Sequence, residues 1–307
     1  MRNTIQKMDS LGSLRIGHLR QLMESKDIVR ILEAHNGLTA LIVENARIRK
    51  DDQELEFDGV WEGSLTDAIS KGMPDIAVID MTSRLHTVQE IMAVTTKPII
   101  IDADNGGLAE IFAFTVRRLE RIGVSAVIVE DKIGKKRNSL HSDKIYQQQD
   151  SIENFSHKIR VGKASQISPD FMIIARIESL VCNMGMDDAL ARAQAYAQAG
   201  ADAIMIHSKH KTADEIMIFC MRYHELGLKL PLVVVPTTYN SVTEAELINA
   251  GVKVVIYANH LLRSAYPVMK LVAEEILQNG RSLETDEQCM PMPELLELIP
   301  LNQADKV

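Results

Sequence analysis

The strongest constraint on the fold is a repeated order along the chain, in which a short apolar run is followed by a segment with helical spacing. The apolar runs are rich in Ile, Val and Ala and have no polar face, which is typical of strands buried inside a parallel sheet. Eight such strands alternating with helices predict an α/β fold of the (β/α)8 TIM-barrel type. The predicted strands are residues 28–32, 57–61, 99–101, 127–129, 171–175, 203–206, 232–235 and 254–257.

The length of 307 residues suits one barrel of this type with additions at its ends. No linker divides the sequence, so we predict a single domain over residues 1–307, with an N-terminal helix and a C-terminal helical extension. The charged segment 47–56 is expected to be a surface loop. Capping-box patterns predict helix starts at residues 64–67, 212–215 and 241–244.

The formal net charge of -8 at pH 7 argues against general affinity for nucleic acid or an anionic membrane, and it favours a small-molecule substrate. Cys182, Cys220 and Cys289 are widely spaced and follow no metal-binding pattern, which fits a reducing compartment. The N-terminus lacks the apolar core of a signal peptide, and no stretch approaches the roughly 20 apolar residues of a membrane span. We therefore expect a cytoplasmic protein.

Acidic side chains follow the predicted strands at the end where an α/β barrel binds its ligands. Asp102 and Asp104 stand two residues apart after the third strand, so both can face the barrel mouth, and Glu130 follows the fourth strand. Each acid alone is more often a salt-bridge partner, but three acids on adjacent strands repel one another unless a cation joins them. Their oxygen ligands favour Mg²⁺, and the lack of paired Cys or His ligands argues against zinc.

The loop after Glu130 is cationic and also carries Asn138 and Ser139. One explanation is an exposed, solvated basic loop. The other is a site that holds a cation and an anionic substrate side by side, because the loop leaves the ligand-binding end of a buried strand. In that case residues 132–149 are expected to be a gate that closes on the ligand, since a polar loop cannot stay buried without costly desolvation.

Eight segments occur in an order that is specific for one superfamily: EAHNGLTA at 33–40, FDGVWE at 57–62, DADNGG at 102–107, EDKIGKKRNSL at 130–140, IIARIES at 173–179, GADAIMIHSK at 200–209, PLVVVPTTYN at 231–240 and VIYANHLLR at 255–263. From these segments, the chain resembles the phosphoenolpyruvate phosphomutase family, within the isocitrate lyase and phosphoenolpyruvate mutase superfamily. Lyase members carry a KKCGH-like segment with a catalytic cysteine, where this chain has Lys136, Arg137, Asn138 and Ser139. The mutase branch therefore matches better.

The resemblance implies a reversible conversion of phosphoenolpyruvate to phosphonopyruvate, which forms the P–C bond of phosphonate biosynthesis and uses Mg²⁺. The implied metal ligands are Asp102, Asp104 and Glu130. The implied catalytic residues are Asp75, Lys136, Asn138, Arg176 and His207, and the implied substrate-binding residues are Trp61, Gly63, Ser64, Ser139 and Leu140.

Some of these roles have a simpler explanation. Arg176 alone is more often a salt-bridge partner, here of Glu178, and His207 alone is more often a hydrogen-bonded histidine at a strand end. Whether Asp75 acts as a transient nucleophile stays open. The resemblance also implies a homodimer or homotetramer, in which the helix at 259–279, interrupted by Pro267, is exchanged between subunits.

Two residues depart from the family pattern. Gly63 stands where mutases have Ser, which removes a hydroxyl from the turn that binds the enolate, and Asn105 stands where Thr is usual. Other functions also stay open. The nearest is a phosphonopyruvate hydrolase, which shares the barrel, the metal and the Arg but lacks the Asn of the loop, and a C–C bond lyase fits less well. A third is a barrel without catalytic activity that binds a phosphorylated metabolite or a partner protein, although the intact acidic and cationic residues argue against it.

Overall fold

The computed structural model describes residues 15–139 and 147–299. Its strands are β1 (Val29–Glu33), β2 (Arg47–Lys50), β3 (Gln53–Glu56), β4 (Gly59–Glu62), β5 (Ile99–Asp102), β6 (Ala126–Glu130), β7 (Lys132–Ile133), β8 (Gln148–Gln149), β9 (Met172–Ile177), β10 (Ala203–Ile206), β11 (Leu232–Val234) and β12 (Val252–Tyr257). Eight of them form a closed parallel barrel in the order β1, β12, β11, β10, β9, β6, β5 and β4, with β4 paired to β1. The predicted (β/α)8 fold is therefore confirmed.

Helices surround the barrel and connect its strands. They are α1 (residues 15–25), α2 (Gly37–Asn45), α3 (Ser64–Ser70), α4 (Met81–Val94), α5 (Ala109–Arg121), α6 (Ile152–Ser165), α7 (Met186–Gln198), α8 (Asp214–Glu225), α9 (Glu244–Asn249), α10 (His260–Asn279) and α11 (Met292–Glu297). No helix in the described part of the chain combines the length and apolarity that crossing a bilayer requires.

The inside of the barrel is filled with aliphatic side chains. Ile31, Ile100, Ile128 and Ile174 are fully buried and belong to one apolar cluster. Outside the barrel, helices pack closely, as at Gly162 of α6, where a Cβ atom would lie 2.7 Å from the Phe112 ring of α5. Because the barrel interior is packed, any ligand must bind at the strand ends.

The segment 47–56 is a hairpin rather than the predicted surface loop. Strands β2 and β3 pair antiparallel, with Arg47 opposite Glu56. The turn places Asp51 and Asp52 in the left-handed region, with φ of 50° and 62°, as a two-residue hairpin turn requires. Most of its side chains are charged and exposed, so no apolar run revealed the strands.

The three predicted capping boxes are also wrong. Helix α3 begins after Gly63 and α8 after Ala213, each without a side-chain hydrogen bond at the cap. Helix α9 is capped by Thr243 with Glu246, two residues later than predicted. The pattern Ser/Thr-x-x-Glu fits the sequence at both positions, and only the later one is used.

The chain divides into two compact units, Met1–His260 and Leu261–Val307. Helix α10 runs unbroken through Pro267, so the predicted interruption is wrong, and none of its side chains is buried. The single domain over residues 1–307 stays a prediction.

Candidate active site

A cavity of about 70 Å³ lies at the carboxyl ends of the barrel strands. Pockets for drug-sized ligands measure roughly 300–1,000 Å³, so this cavity suits a much smaller molecule. Leu140 of the predicted site lies outside the described residues. All the other predicted site residues line the cavity: Trp61, Gly63, Ser64, Asp75, Asp102, Asp104, Glu130, Lys136, Asn138, Ser139, Arg176 and His207.

Asp102 ends β5 and is held from two sides. Ser64 Oγ donates a hydrogen bond to Asp102 Oδ2 at 3.0 Å, and the backbone N–H of Asp104 donates to Oδ1 at 2.9 Å. Asp104 has a φ of 52°, a strained value for a residue other than glycine. Burial alone would raise the pKa of Asp102, but the charges of Lys136 and Arg176 outweigh it and lower the pKa. Asp102 is thus an ionised carboxylate near neutral pH.

Lys136 reaches from the loop after β6 into the acidic cluster. Its Nζ lies 2.6 Å from Asp75 Oδ1, forms an ion pair with Asp104 Oδ1 and donates to Ser64 Oγ. Burial opposes the charge of Lys136, yet the nearby carboxylates of Asp102, Asp104 and Asp75 raise its pKa. The ammonium group therefore stays protonated among the acids.

Asp75 lies between α3 and α4 and joins two catalytic candidates. Its Oδ2 accepts a hydrogen bond of 2.9 Å from Asn138 Nδ2, while its Oδ1 faces Lys136. Both carboxylate oxygens are thus engaged by residues of the 136–139 segment. This arrangement fastens that segment to the opposite rim of the cavity.

Arg176 centres a second cluster at the ends of β9 and β10. Its Nη2 donates to Ser139 Oγ at 2.8 Å and lies 3.0 Å from His207 Nδ1, and its Nε pairs with Glu178. Burial and the charge of Arg176 lower the pKa of His207 despite the nearby Glu178, so the imidazole is neutral near pH 7. The pKa of Glu178 is well below its ordinary value, because Arg176 and Lys132 outweigh the effect of burial.

Glu130 ends β6 between Lys132 and Arg176, whose nitrogens lie 3.5 and 3.4 Å from its Oε2. Burial outweighs both cations and raises the pKa of Glu130 to about 7. A carboxylate that remains short of positive charge next to Asp102 fits an additional cation, and oxygen ligands suit Mg²⁺. Among the described residues, however, no three acidic, His or Cys side chains already have metal-binding geometry, since cationic side chains lie between them.

Sequence reasoning missed several residues of the site. Lys132 donates to Ser139 Oγ at 2.8 Å, and its place right after the acids of the strand end was a usable signal. Glu178 was expected at the barrel rim and as a partner of Arg176, but its role in holding Ser139, from which it accepts at 2.8 Å, was not. The buried ion pair of Glu62 and Arg84 gave no local signal, since Arg84 lies on a helix distant in sequence.

The two departures from the family pattern have structural counterparts. A hydroxyl is still present in the turn after β4, because Ser64 contributes one to Asp102 in place of the Ser missing at position 63. The Asn105 side chain accepts from the backbone N–H of Gly107 at 3.0 Å, so it closes its own turn. Asn105 is absent from the cavity lining.

The known proteins that this chain resembles agree on one family, but they catalyse two different reactions. The family model described as phosphoenolpyruvate phosphomutase matches residues 19–277. A phosphonopyruvate hydrolase of Variovorax sp. (strain Pal2) is 36% identical over 91% of this chain and 93% of its own length. The crystal structure of a phosphoenolpyruvate phosphomutase from Streptomyces platensis subsp. rosaceus superimposes with a TM-score of 0.85 at 38% identity, covering 92% of this chain and 93% of its own. A phosphonopyruvate hydrolase complex with oxalate and Mg²⁺ gives a TM-score of 0.83 at 33% identity, with 95% of both chains covered.

Proposed function

The chain belongs to the phosphoenolpyruvate phosphomutase family, and we propose on that basis that it is a Mg²⁺-dependent phosphomutase that interconverts phosphoenolpyruvate and phosphonopyruvate. The observation that carries this proposal is the attachment of the 136–139 segment across the cavity. Asn138 and Lys136 bond to Asp75, and Ser139 bonds to Glu178 and Arg176. A segment held in this way excludes water from the phosphoryl group, which leaves the enolate as the available nucleophile.

The cationic cluster is the proposed phosphoryl subsite. Arg176, Lys136 and the amide of Asn138 surround the transferring group, and neutral His207 adds a polar ring nitrogen. A loose, metaphosphate-like phosphoryl needs positioning and charge stabilisation more than covalent help. We propose that Asp75 positions Lys136 and Asn138 rather than attacking phosphorus, since both of its oxygens are engaged.

The acidic cluster is the proposed cation subsite. Asp102, Asp104 and Glu130 would hold Mg²⁺, with Asp75 near its shell. When bound, Mg²⁺ would attract the carboxylate and enolate oxygens of the substrate and offset their charge. Ser64 orients Asp102, and Lys136 keeps the acids charge-compensated while the substrate enters.

Phosphorus NMR of one incubation tests the reaction. Phosphonopyruvate is the better starting substrate, because family chemistry makes phosphoenolpyruvate the more stable isomer. With Mg²⁺, we expect phosphoenolpyruvate and little free phosphate. Inorganic phosphate with pyruvate would instead identify a phosphonopyruvate hydrolase, and unchanged phosphonopyruvate would count against both enzymes.

We also propose a homo-oligomer, dimer or tetramer, in which α10 packs on another subunit. Tyr266, Met269 and Leu277 of this helix are 67%, 61% and 84% exposed. A helix of 20 residues without a buried side chain needs an apolar partner surface to be stable. Light scattering should give a mass of at least twice the 34.3 kDa of one chain, whereas a stable monomer at micromolar concentration would refute the proposal.

A cytoplasmic location is the remaining proposal. Cys182, Cys220 and Cys289 are free thiols, as expected in a reducing compartment. The net charge of -8 supports a small-molecule substrate rather than nucleic acid or a membrane surface as the partner.

A further inference from the structure

Arg84 of α4 is a cation buried outside the active-site cavity. Its side chain belongs to a residue that is 2% exposed and is absent from the cavity lining. The fully buried Glu62, at the end of β4, holds the guanidinium at several points. Arg84 Nε donates to Glu62 Oε1 at 3.2 Å, and Nη2 forms an ion pair with Oε2 and donates to the Glu62 backbone carbonyl at 3.4 Å. Because the guanidinium is planar, these contacts fix the direction of its remaining nitrogen.

That remaining nitrogen lies next to the acidic cluster. Arg84 Nη1 is 3.8 Å from Asp104 Oδ2, which is within ion-pair range but too long for a hydrogen bond. Burial opposes the charge of Arg84, yet the carboxylates of Glu62 and Asp104 outweigh it and raise its pKa. The other oxygen of Asp104, Oδ1, pairs with Lys136. Asp104 therefore lies between a cation of α4 and a cation of the 136–139 segment.

The two cations are held in different ways. Lys136 is in a loop segment, which side-chain contacts attach to the cavity rim, whereas Arg84 is on a helix and is anchored to the end of a barrel strand by Glu62. Asp104 has a φ of 52°, and a residue other than glycine keeps such a conformation only where its surroundings hold it. The fixed guanidinium supplies an attraction on the Asp104 carboxylate that does not depend on the loop.

We propose that Arg84 is a positioning residue that holds the Asp104 carboxylate in place at the cation subsite. Glu62 anchors the guanidinium, and Nη1 attracts Asp104 Oδ2 from outside the cavity. Partners of this kind orient the carboxylates that bind a metal and contribute to its affinity. The inference rests on the proposed function, in which Asp104 helps to bind Mg²⁺.

Calorimetric titration with Mg²⁺ alone tests this role without any turnover. Arg84→Lys keeps one positive charge for Glu62 but replaces the rigid fork by a single ammonium, which cannot hold Glu62 and attract Asp104 in the same way. We expect Mg²⁺ to bind this variant roughly 10-fold more weakly than the wild type, the scale of losing a partner of a metal-binding carboxylate. The melting temperature should stay close to that of the wild type. A role in stability alone predicts the reverse, a lower melting temperature with unchanged Mg²⁺ affinity.

Arg192→Lys is the matched control. It makes the same exchange at a guanidinium of α7 that is 5% exposed and pairs with Asp131, which does not line the cavity. Its Mg²⁺ affinity should equal that of the wild type. The double variant Glu62→Gln with Arg84→Met removes one charge of each sign and leaves no unpaired buried carboxylate, so it tests the inference if Arg84→Lys does not fold. It should show the same loss of Mg²⁺ affinity.

The outcomes separate this inference from the proposed reaction. A folded Arg84→Lys or double variant that binds Mg²⁺ within about twofold of the wild type would overturn the positioning role. An equal loss of affinity in Arg192→Lys would do the same, and a wild-type chain that binds no Mg²⁺ would overturn the cation subsite together with the inference. Mg²⁺ binding that depends on Arg84, without conversion of phosphonopyruvate, would support the positioning role and overturn only the phosphomutase reaction.

Discussion

Glu130 and Asp131 are consecutive acids at the end of β6, and both are almost fully buried. Glu130 lines the cavity, and the nitrogens of its two ion-pair partners are 3.4 and 3.5 Å away. Asp131 instead accepts hydrogen bonds from Tyr196 Oη at 2.7 Å and Gln149 Nε2 at 2.8 Å. It also accepts from the backbone N–H of Glu178 at 3.0 Å and pairs with Arg192 of α7 at 3.2 Å.

The Glu130 carboxylate can therefore accept a further ligand, whereas the oxygens of Asp131 already have their hydrogen-bond and ion-pair partners. The Asp131 side chain is contacted by four donors from three segments. Its backbone carbonyl also accepts from the N–H of Asp150 at 2.7 Å, so Asp131 links the residues just before α6 to α7. Within the described residues, the two cations at Glu130 lie at 3.4 and 3.5 Å, longer than the contacts of Asp131, so the Glu130 oxygens can accept one more ligand. We infer that the barrel-facing acid serves chemistry and the helix-facing acid stabilises the fold around it.

The largest effect is expected on turnover, from a substitution in the cavity. Asn138→Ala should lower turnover of phosphonopyruvate by roughly 100-fold or more, the scale of removing a positioned transition-state contact. Its melting temperature should change little, because Asn138 is only partly buried. Steady-state kinetics and thermal melting check both statements.

The matched control for this variant is Asn154→Ala on the exposed start of α6, which should keep wild-type turnover. An Asn138→Ala enzyme with turnover within a fewfold of the wild type would remove Asn138 from the proposed phosphoryl subsite.

The next largest effect is expected on the stability of the fold around Asp131. Arg192→Met leaves the buried Asp131 without its cation, which should cost about 3 kcal/mol of unfolding free energy. Arg222→Met breaks a pair of similar length, 2.8 Å to Asp187, that is exposed to solvent, and should cost less than about 1 kcal/mol. Urea denaturation of the two variants measures the contrast. Equal losses would show that Asp131 does not depend on Arg192.

A smaller effect is expected from one hydroxyl. Tyr196→Phe removes the hydrogen bond from Tyr196 to Asp131 but leaves Arg192 in place, so it should cost about 1–2 kcal/mol. Turnover of Tyr196→Phe per folded molecule should stay close to that of the wild type, and a large loss of turnover would contradict the division between the two acids.

The last effect concerns pH. Burial raises the pKa of Glu130 from 4.5 to about 7 and that of Asp131 from 3.8 to about 6. The native state thus binds these protons more tightly than the unfolded chain, so stability is present at low pH and is lost as pH rises through each native pKa. The windows are about 4.5 to 7 for Glu130 and about 4 to 6 for Asp131. Mg²⁺ should reverse the loss due to Glu130 and leave that due to Asp131.

Melting temperatures of the wild type, Glu130→Gln and Asp131→Asn, each measured across this range with and without Mg²⁺, separate the two contributions. The same Mg²⁺ response from both acids would contradict the comparison.

Much of the barrel could be predicted because buried parallel strands are continuous apolar runs, which need no knowledge of distant residues. Asp102, Asp104 and Glu130 followed from the same pattern, since strand ends of a barrel converge, whereas the roles of the other site residues came from the family resemblance. The hairpin β2–β3 could not be predicted, because its exposed strands are charged and show no period.

Long-range pairs were also beyond sequence reasoning. Arg84 reads as a surface residue of α4 until the fold brings it to Glu62, where the two form a buried ion pair. The same holds for Arg192 and Asp131, whose partnership depends on how α7 packs against the end of β6. Residues that follow one strand were predictable, whereas residues that meet across elements were not.

The central claim is that the attached 136–139 segment keeps water from the phosphoryl group. Conversion of phosphonopyruvate in ¹⁸O-water, followed by mass spectrometry of the products, tests it directly. We predict phosphoenolpyruvate whose non-bridging phosphoryl oxygens carry no solvent ¹⁸O, with almost no labelled phosphate. Inorganic phosphate containing one solvent oxygen as the main product would contradict the claim, because water would then be the nucleophile.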